Sequence, residues 1–581
     1  MPSFRFFLLL TCAALLACTG YAALLLSSGS WEEARALDRV FPFYAWHIRP
    51  FTLAEYENAR AGLALTAALL AAATLALARP PKLQQEIARL KVELLSHGAS
   101  FRECLRRLAP GQRRLALGLL ALLTGTRLYF SLRNPEYDDA VSYEVFVSKG
   151  LLAVGGYYPI PNNHVLANTL SWLFYQLYPG FWFCMRLPVL LVSTAGTVWL
   201  FGLLLRQSSF RVALLATAGF GWLQLSLYHA GVGRGYWLLT VLAGLVFFST
   251  LALSESPQRP RLAWAGLLGG GILGSYTIPT FALVLASAYS WLGLLFLLSR
   301  AGKYLLALLL VGATTVAATL ALYAPLLLIS GPELFFENGF VASRGFEEFW
   351  RGLPAYLWYS EGFLAGQRTV GGLLTLAVLL GLAGLQRLDN QGRLPSNQRT
   401  WLRQLAQPAL WFVAVPYAVL MVKHVFPPER VLLFKAFFLF ILAALVLNWV
   451  LDRWPRQRFL PGSMLLLALG YIGYQAWSIE RQNQAYRSSN ASYRSALAWL
   501  AAQPPGPVLI PEPTHNLFFR FYAHSLTPGR RWQFHDAKVD SVRYAYVVAF
   551  PNKRGMFQPP ISFPPAYRNA DVEIFALPRR P

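Results

Sequence analysis

The stretch that decides the fold runs from Asn134 to Trp172 and reads NPEYDDAVSYEVFVSKGLLAVGGYYPIPNNHVLANTLSW. It gathers acids, amides, aromatic residues and a histidine directly after an apolar run, whereas most of the flanking chain is apolar. A polar segment of this kind between long apolar runs is typical of a loop between membrane helices. We therefore expect this loop to be held at the surface of a bilayer by the rest of the chain.

The composition excludes an ordinary soluble protein. Of the 581 residues, 56% are hydrophobic and only 13% are charged, whereas soluble domains carry about 25% charged residues. The net charge is +24, but most basic residues lie in short segments between apolar runs, as in cytoplasmic loops. Nucleic acid is disfavoured because no basic stripe alternates with stacking aromatics, and anionic membrane lipids are the expected partners of the remaining cations.

Apolar runs and charge together predict a topology. The segment 79–114 is rich in arginine and lysine, which places it in the cytoplasm, and Arg206, Arg261, Arg300, Arg387 and Arg453 mark further loops on that side. The first run continues through Leu26, which favours an uncleaved anchor over a lipoprotein signal ending at Cys18. We predict about thirteen crossings, near 6–26, 62–78, 115–130, 185–205, 212–228, 236–254, 262–276, 280–298, 304–329, 370–386, 409–422, 431–451 and 462–478.

This topology divides the chain into three predicted domains of an all-α polytopic protein of the cytoplasmic (inner) membrane. Residues 1–114 hold two membrane helices and a basic amphipathic segment that lies against the membrane or binds a partner. Residues 115–479 form a helical core whose first extracytoplasmic loop is 132–182. Residues 480–581 are polar and proline-rich, and they form a small extracytoplasmic α/β domain with strands near 508–510, 544–550 and 572–577.

Two adjacent acids, Asp138 and Asp139, begin a helix-compatible run in the first loop. Neighbours on a helix point about 100° apart, so they do not form the opposed carboxylate pair of a glycosidase. One carboxylate acting as a general base on a hydroxyl fits the pattern, with the other binding substrate or ordering the loop. A helix cap is the structural alternative for both. The residues alone leave open which of Asp138 and Asp139 is the candidate catalytic residue and which is a candidate substrate ligand.

The second polar cluster is the turn around Pro161. Its amides and imidazole could hydrogen-bond a sugar, but Asn163 could equally cap the helix that follows, and His164 could be a solvated or satisfied side chain. The candidate substrate-binding residues beyond the acids are Tyr158, Asn162, Asn163, His164 and Tyr236.

The third cluster consists of cations at the predicted outer ends of spans, where the charge bias disfavours them. They either snorkel to the interface or bind a lipid phosphate. The candidate phosphate ligands are Arg234, Lys423, His424 and Arg430. The histidines and acids do not show metal-ligand spacing, so neither a metal nor another cofactor is expected.

These motifs occur in an order that resembles the GT-C glycosyltransferases of the family 39 type, relatives of protein O-mannosyltransferases and of the bacterial aminoarabinose transferase. The resemblance covers roughly 115–479 and includes Tyr137-Asp138-Asp139-Ala140, Pro161-Asn162-Asn163-His164, Arg186-Leu187-Pro188, Arg234-Gly235-Tyr236 and Tyr276-Thr277-Ile278-Pro279-Thr280. The chain departs from the family at Asp139, where glutamate is common, at Ile278, where histidine is usual, and at Val431, where tyrosine tends to follow the arginine.

The resemblance implies an inverting transfer of a sugar from a polyprenyl-phosphate donor to a lipid, glycan or protein hydroxyl outside the cytoplasm, with Asp138 as the base. The main alternative is a lipid or glycan transporter or flippase, although transporters place ionisable residues near the membrane midplane. Further alternatives are a structural protein whose tail binds cell-wall polymer and a transferase that uses a lipid-diphosphate donor. The sugar and the acceptor are not indicated by the sequence.

Overall fold

The computed structural model of the chain describes residues 3–41, 48–79, 81–256, 261–336, 342–453, 459–527, 529–551 and 564–578. Parts of the predicted domains 1–114, 115–479 and 480–581 that fall between these ranges lie outside the described residues.

Long apolar helices dominate the architecture, as predicted. Within the described ranges, nine helices are long and apolar enough to cross a membrane. A tenth crossing arises if the pair Phe210–Trp222 and Gln224–Ala230, bent by 71°, counts as one span. The chain is therefore a multi-pass membrane protein. The nine helices are Phe4–Ser27, Leu53–Ala78, Trp182–Gln207, Tyr236–Glu255, Pro279–Leu298, Gly302–Ile329, Gly372–Asn390, Ser396–Lys423 and Glu429–Arg453.

The other predicted spans also lie on helices, namely Pro110–Ser131, Arg261–Thr277 and Phe459–Ala501. These three do not combine the required length and apolarity. The number of crossings, about thirteen, therefore stays a prediction.

The basic segment after the second span forms the helix Pro81–Arg106, which packs on the core. Arg261, at the start of Arg261–Thr277, pairs with Glu86 and with Glu93, whose Oε1 lies 3.2 Å from Nη1. The other oxygen of Glu93 accepts the backbone N–H of Leu262 at 2.9 Å. This largely buried network fixes the amphipathic helix to the core at that point.

The first loop is built from short helical pieces. The chain turns into a helix at Tyr137–Val141 and continues through a π-helical turn at Ser142–Phe146. The helices Leu151–Gly156 and Val165–Leu177 follow, separated by the turn around Pro161. The long helix Phe346–Leu364 and its following turn lie between the later spans and contribute to the same region.

The C-terminal residues form a mixed sheet next to a helix, as predicted. The strands are β1 (Val508–Leu509), β2 (Phe534–His535), β3 (Tyr546–Ala549), β4 (Tyr567–Arg568) and β5 (Glu573–Ala576). Their order is β2-β1-β3-β5-β4, and β1 runs parallel to β2 and β3 whereas β5 is antiparallel to β3 and β4. The two-residue strands β2 and β4 and the helix Pro513–Leu526 were not anticipated from the sequence.

The helix Phe459–Ala501 joins the membrane core to this domain. Its Asn483 accepts a hydrogen bond from Arg133 at 3.3 Å, and its Asn490 donates one to the carbonyl of Pro135 at 3.3 Å. Both contacts lie just before the first-loop helix, so the long helix supports the chain on which Asp138 is placed.

Candidate active site

Asp138 is the second residue of the helix Tyr137–Val141 and faces a cavity of about 510 Å³. Its side chain is 40% exposed, and its Oδ2 lies 3.7 Å from Nη2 of Arg234, which is 3% exposed. A partly exposed carboxylate next to a buried guanidinium is held in place yet open to a ligand. The predicted convergence of Asp138 with Arg234 is therefore observed.

The cavity carries an excess of positive charge. Two carboxylates, Asp138 and Glu429, are opposed by four arginines, and uncharged polar side chains complete one wall. A guanidinium presents N–H donors in a fork that matches phosphate or carboxylate oxygens. The arginines are Arg234, Arg368, Arg430 and Arg481, and the other polar residues are Gln224, Tyr228, His229, Ser478 and Gln482.

The turn around Pro161 positions Arg234. Its Nη1 donates to the carbonyl of Asn162 at 2.7 Å, and the Asn162 amide donates to the carbonyl of Asp138 at 3.4 Å. The Oδ1 of Asn162 is buried and accepts no hydrogen bond from the described residues. Asn162 thus links the acid to the arginine through backbone and side-chain bonds.

His164 is buried next to Arg234. Its Nδ1 accepts the backbone N–H of Gly235 at 2.9 Å, and its Nε2 lies 3.2 Å from Nη2 of Arg234. Burial, reinforced by the charge of Arg234, holds the pKa of His164 well below its usual value. The ring is therefore neutral at physiological pH and adds no positive charge to the site.

Tyr236 connects this cluster to Arg430. Its hydroxyl accepts from Nε of Arg430 at 3.1 Å, and its ring meets that of His164 edge-on with centroids 4.8 Å apart. Tyr236 is 3% exposed. It therefore orients Arg430 toward the cavity rather than lining the cavity itself.

Asp139 faces away from the cavity, contrary to its predicted role as a substrate ligand. It is fully buried, and its Oδ2 lies 2.6 Å from Nη2 of Arg186. Its Oδ1 accepts the backbone N–H of Gly233 at 3.0 Å. These partners use both carboxylate oxygens, so Asp139 ties the first loop to the residue before Arg234.

Tyr158 and Asn163 stabilise the first loop through hydrogen bonds. The Asn163 amide donates to the carbonyls of Val154 and Tyr157 at 2.8 and 3.0 Å and accepts from Asn168 at 2.9 Å. The backbone N–H of Tyr158 donates to Ser330 at 2.8 Å, and burial raises the pKa of its phenol to about 12. Neither side chain lines the cavity.

Lys423 and His424 do not line this cavity, in contrast to the predicted phosphate site. The span ends at His424, whose φ of 52° is left-handed, and the chain turns toward the helix Phe346–Leu364. The carbonyl of His424 accepts from the backbone of Arg344 at 2.9 Å, and its ring packs on Phe349 with centroids 5.1 Å apart. Both residues therefore stay outside the cavity that Arg430 lines.

Arg368 and Arg481 were missed as candidate site residues. Arg368 follows the helix Phe346–Leu364, and its guanidinium lies 4.9 Å above the ring of Phe363. Arg481 lies on Phe459–Ala501, one turn after Ser478, which donates to Gln224 at 2.9 Å. Both lie at predicted outer ends of spans, so the signal that selected Arg234 could have selected them.

A buried ion pair lies behind the cavity. Nζ of Lys435 pairs with Glu361, which also accepts from Tyr417 and, at 2.7 Å, from Thr375. Lys435 is on the same span as Arg430, and Glu361 is two residues before Phe363. The pair therefore joins the two elements that carry Arg430 and Arg368.

Lys435→Met is expected to destabilise the protein by about 3–5 kcal/mol, because it leaves Glu361 buried without its cation. Thermal unfolding of the detergent-solubilised protein measures the loss. The double variant Glu361→Gln/Lys435→Met removes both charges and is expected to recover most of the lost stability. A single variant as stable as the unmodified protein would show that the pair does not hold these elements together.

Fold and cavity together define a multi-pass membrane protein with a polar, arginine-rich cavity beside an acid on its first loop. Two solved structures of ArnT from Cupriavidus metallidurans have this fold. The one bound to undecaprenyl phosphate aligns with a TM-score of 0.55 and 15% identity over 81% of this chain and 100% of ArnT. The apo structure aligns with a TM-score of 0.52 and 14% identity over 80% of this chain and 100% of ArnT. Neither a protein-family model nor a curated protein matches the chain.

Proposed function

We propose that the chain is an inverting glycosyltransferase that moves a sugar from a polyprenyl-phosphate donor to an acceptor hydroxyl on the extracytoplasmic side of the cytoplasmic membrane. The observation that carries the proposal is the exposed carboxylate of Asp138, 3.7 Å from Arg234, in a cavity that Arg430 also lines. The likeness of the fold to ArnT, which was solved with undecaprenyl phosphate bound, supports a donor of that class.

In the proposed reaction, Asp138 takes the proton of the acceptor hydroxyl while that oxygen attacks the anomeric carbon. The bond between the anomeric carbon and the phosphate oxygen breaks, and its electron pair leaves with the polyprenyl phosphate. Arg234 and Arg430 stabilise the charge that develops on this leaving group. Attack from the side opposite to the phosphate inverts the anomeric carbon. Because the arginines balance the phosphate charge, the proposal requires neither a metal nor another cofactor.

The remaining candidates take supporting roles in this proposal. Asp139, Asn162, Asn163, His164 and Tyr236 hold Asp138, Arg234 and Arg430 in position, and Tyr158 packs the loop against the core. Arg368 and Arg481 replace Lys423 and His424 as further phosphate ligands.

Arg430→Gln is expected to raise the KM for the donor about 10- to 100-fold, because a charge-assisted hydrogen bond to phosphate contributes roughly 1.5–3 kcal/mol. Initial rates at increasing polyprenyl-phosphate sugar concentrations measure this change. Lys423→Gln is the matched control, because it removes an exposed cation from the end of the preceding span, outside the lining of the cavity. Equal effects of the two substitutions would contradict the phosphate role of Arg430.

The function is tested by incubating the purified protein in nanodiscs with a radiolabelled polyprenyl-phosphate sugar and an extract of envelope lipids and glycans. Transfer of label to an acceptor, together with release of polyprenyl phosphate, is the expected result. A transporter or flippase would instead move the labelled lipid between leaflets and leave the bond between sugar and phosphate intact. That outcome would replace the proposed function with the alternative.

A further inference from the structure

A second cationic cavity lies on the C-terminal domain, on different residues from the cavity at Asp138. It has a volume of about 480 Å³, is open to the surface, and is lined by the helix Pro513–Leu526, the strand β2 and the chain after the first span. Three arginines line it, Arg39, Arg520 and Arg530, with His524 beside them and Asp536 as the carboxylate in its lining. The formal charge of the lining is therefore positive even with a neutral histidine.

In two of the arginines, Arg520 and Arg530, only some of the N–H donors form hydrogen bonds with the described residues. Arg520 donates through Nη1 to the carbonyl of Val40 at 3.2 Å. Arg530 donates to the carbonyls of Ala501 and, at 3.2 Å, Gln503, and its guanidinium stacks 4.3 Å above the ring of Trp532. A guanidinium has five N–H donors, so donors remain on both. These carbonyl contacts fix the two guanidinium groups without neutralising their charge.

Arg39 is the third cation and comes from a distant part of the sequence. It is exposed at the end of the short helix Leu37–Arg39, and within the described ranges it forms no ion pair or side-chain hydrogen bond. Bringing like charges together around one cavity is unfavourable unless an anion lies between them. The arrangement therefore fits a ligand that carries negative charge.

The same helix that lines this cavity also touches the first loop. Phe521 packs on Tyr143 and Phe181, with centroids 5.7 and 4.9 Å away. Nδ1 of His524 lies 3.2 Å from the buried carboxylate of Glu144, six residues after Asp138. A ligand held at Arg520 would thus be bound by an element packed directly against the loop of the candidate active site.

We propose that this cavity binds a phosphate- or carboxylate-bearing ligand, with Arg39, Arg520 and Arg530 as its charge-bearing contacts. The placement beside the first loop makes the anionic group of the acceptor the occupant, and that assignment of the occupant rests on the proposed function. The binding site itself does not, because its residues are separate from Asp138 and its cavity.

Inorganic pyrophosphate is a suitable probe, titrated calorimetrically into the full-length protein in nanodiscs of neutral phosphatidylcholine. Two binding events are expected, one in each arginine-lined cavity. Arg520→Gln is expected to weaken binding in the C-terminal cavity at least tenfold. It should not change binding in the cavity at Asp138, which Arg430→Gln weakens. Arg39→Gln removes a cation that forms no ion pair or side-chain hydrogen bond with the described residues, and it is expected to weaken the same event as Arg520→Gln with normal folding. Arg531→Gln, an exposed neighbour of Arg530 outside the cavity lining, is the matched control.

Two outcomes would overturn the second site. One is a single binding event that Arg430→Gln removes. The other is a pair of binding events that Arg39→Gln and Arg520→Gln leave unchanged.

Competition experiments identify the source of the anion. Phosphatidylglycerol in the nanodiscs would block the second event if a membrane lipid headgroup occupies the cavity, which would keep the site and overturn the acceptor assignment. Competition by glucose 6-phosphate but not by phosphatidylglycerol is expected for a glycan phosphate. Asp138→Asn should leave the second binding event unchanged, because Asp138 does not line that cavity, so a failure of the proposed function is separable from a failure of this site.

Discussion

Asp138→Asn is expected to lower the rate of sugar transfer about a thousandfold, within the range of 10²–10⁴ that general-base catalysis contributes. Asparagine has nearly the same shape but cannot accept a proton. Because Asp138 is 40% exposed and its Oδ2 lies 3.7 Å from Arg234, beyond hydrogen-bond distance, its substitution removes only a long, partly solvated ion pair. The melting temperature and the amount of protein in the membrane should therefore stay the same, and single-turnover transfer assays measure the loss.

Glu429→Gln is the matched comparison, because Glu429 is the other carboxylate that lines the same cavity. A base role for Asp138 predicts a much smaller loss for Glu429→Gln than for Asp138→Asn. Turnover retained by Asp138→Asn would remove Asp138 from the role of base, and equal losses at both positions would point to the overall charge of the cavity instead.

The neighbouring substitution, Asp139→Asn, is expected to destabilise the fold by about 3–5 kcal/mol, whereas Asp138→Asn should keep its stability. Asp139 is fully buried against Arg186, whose side chain is also fully buried. Removing the carboxylate charge leaves that guanidinium without its 2.6 Å partner in a site that water does not reach. Thermal unfolding in detergent, followed by light scattering or tryptophan fluorescence, measures the decrease.

The two variants test the roles of the two acids against each other. Asp138→Asn should be stable and inactive, whereas Asp139→Asn should be unstable, with activity lost in proportion to the folded fraction. If Asp139→Asn were as stable as the unmodified protein but inactive, Asp139 would act on substrate, as the sequence alone suggested, and its assignment to Arg186 would be wrong.

The membrane architecture could be predicted from the sequence because it depends on local composition. A run of about twenty apolar residues is a span whatever it packs against, so every predicted span except the one near 212–228 falls on one continuous helix. The bend at Leu223 was missed because its cause is tertiary. There the backbone N–H of Gln224 donates to Gln475, more than two hundred positions later.

The candidate site was predictable only in part. The order of motifs and the predicted side of the membrane selected Asp138, Arg234 and Arg430, which the structure brings to one cavity. Which of two adjacent acids faces that cavity depends on Arg186 and Gly233, both distant in sequence, so the roles of Asp138 and Asp139 could not be separated. The predicted outer position of Lys423 selected it as well, although it does not line the cavity. The left-handed turn at His424 could not be predicted from the sequence.

The central claim is that a carboxylate and distant arginines converge on one lipid phosphate, and a structure with a non-transferable polyprenyl-phosphonate sugar bound tests it most directly. The account predicts phosphonate oxygens at hydrogen-bond distance, about 2.7–3.2 Å, from Arg234 or Arg430. It also predicts the anomeric carbon facing Asp138 across space for an acceptor hydroxyl. A phosphonate bound outside this cavity, with Asp138 facing away from the sugar, would contradict the account.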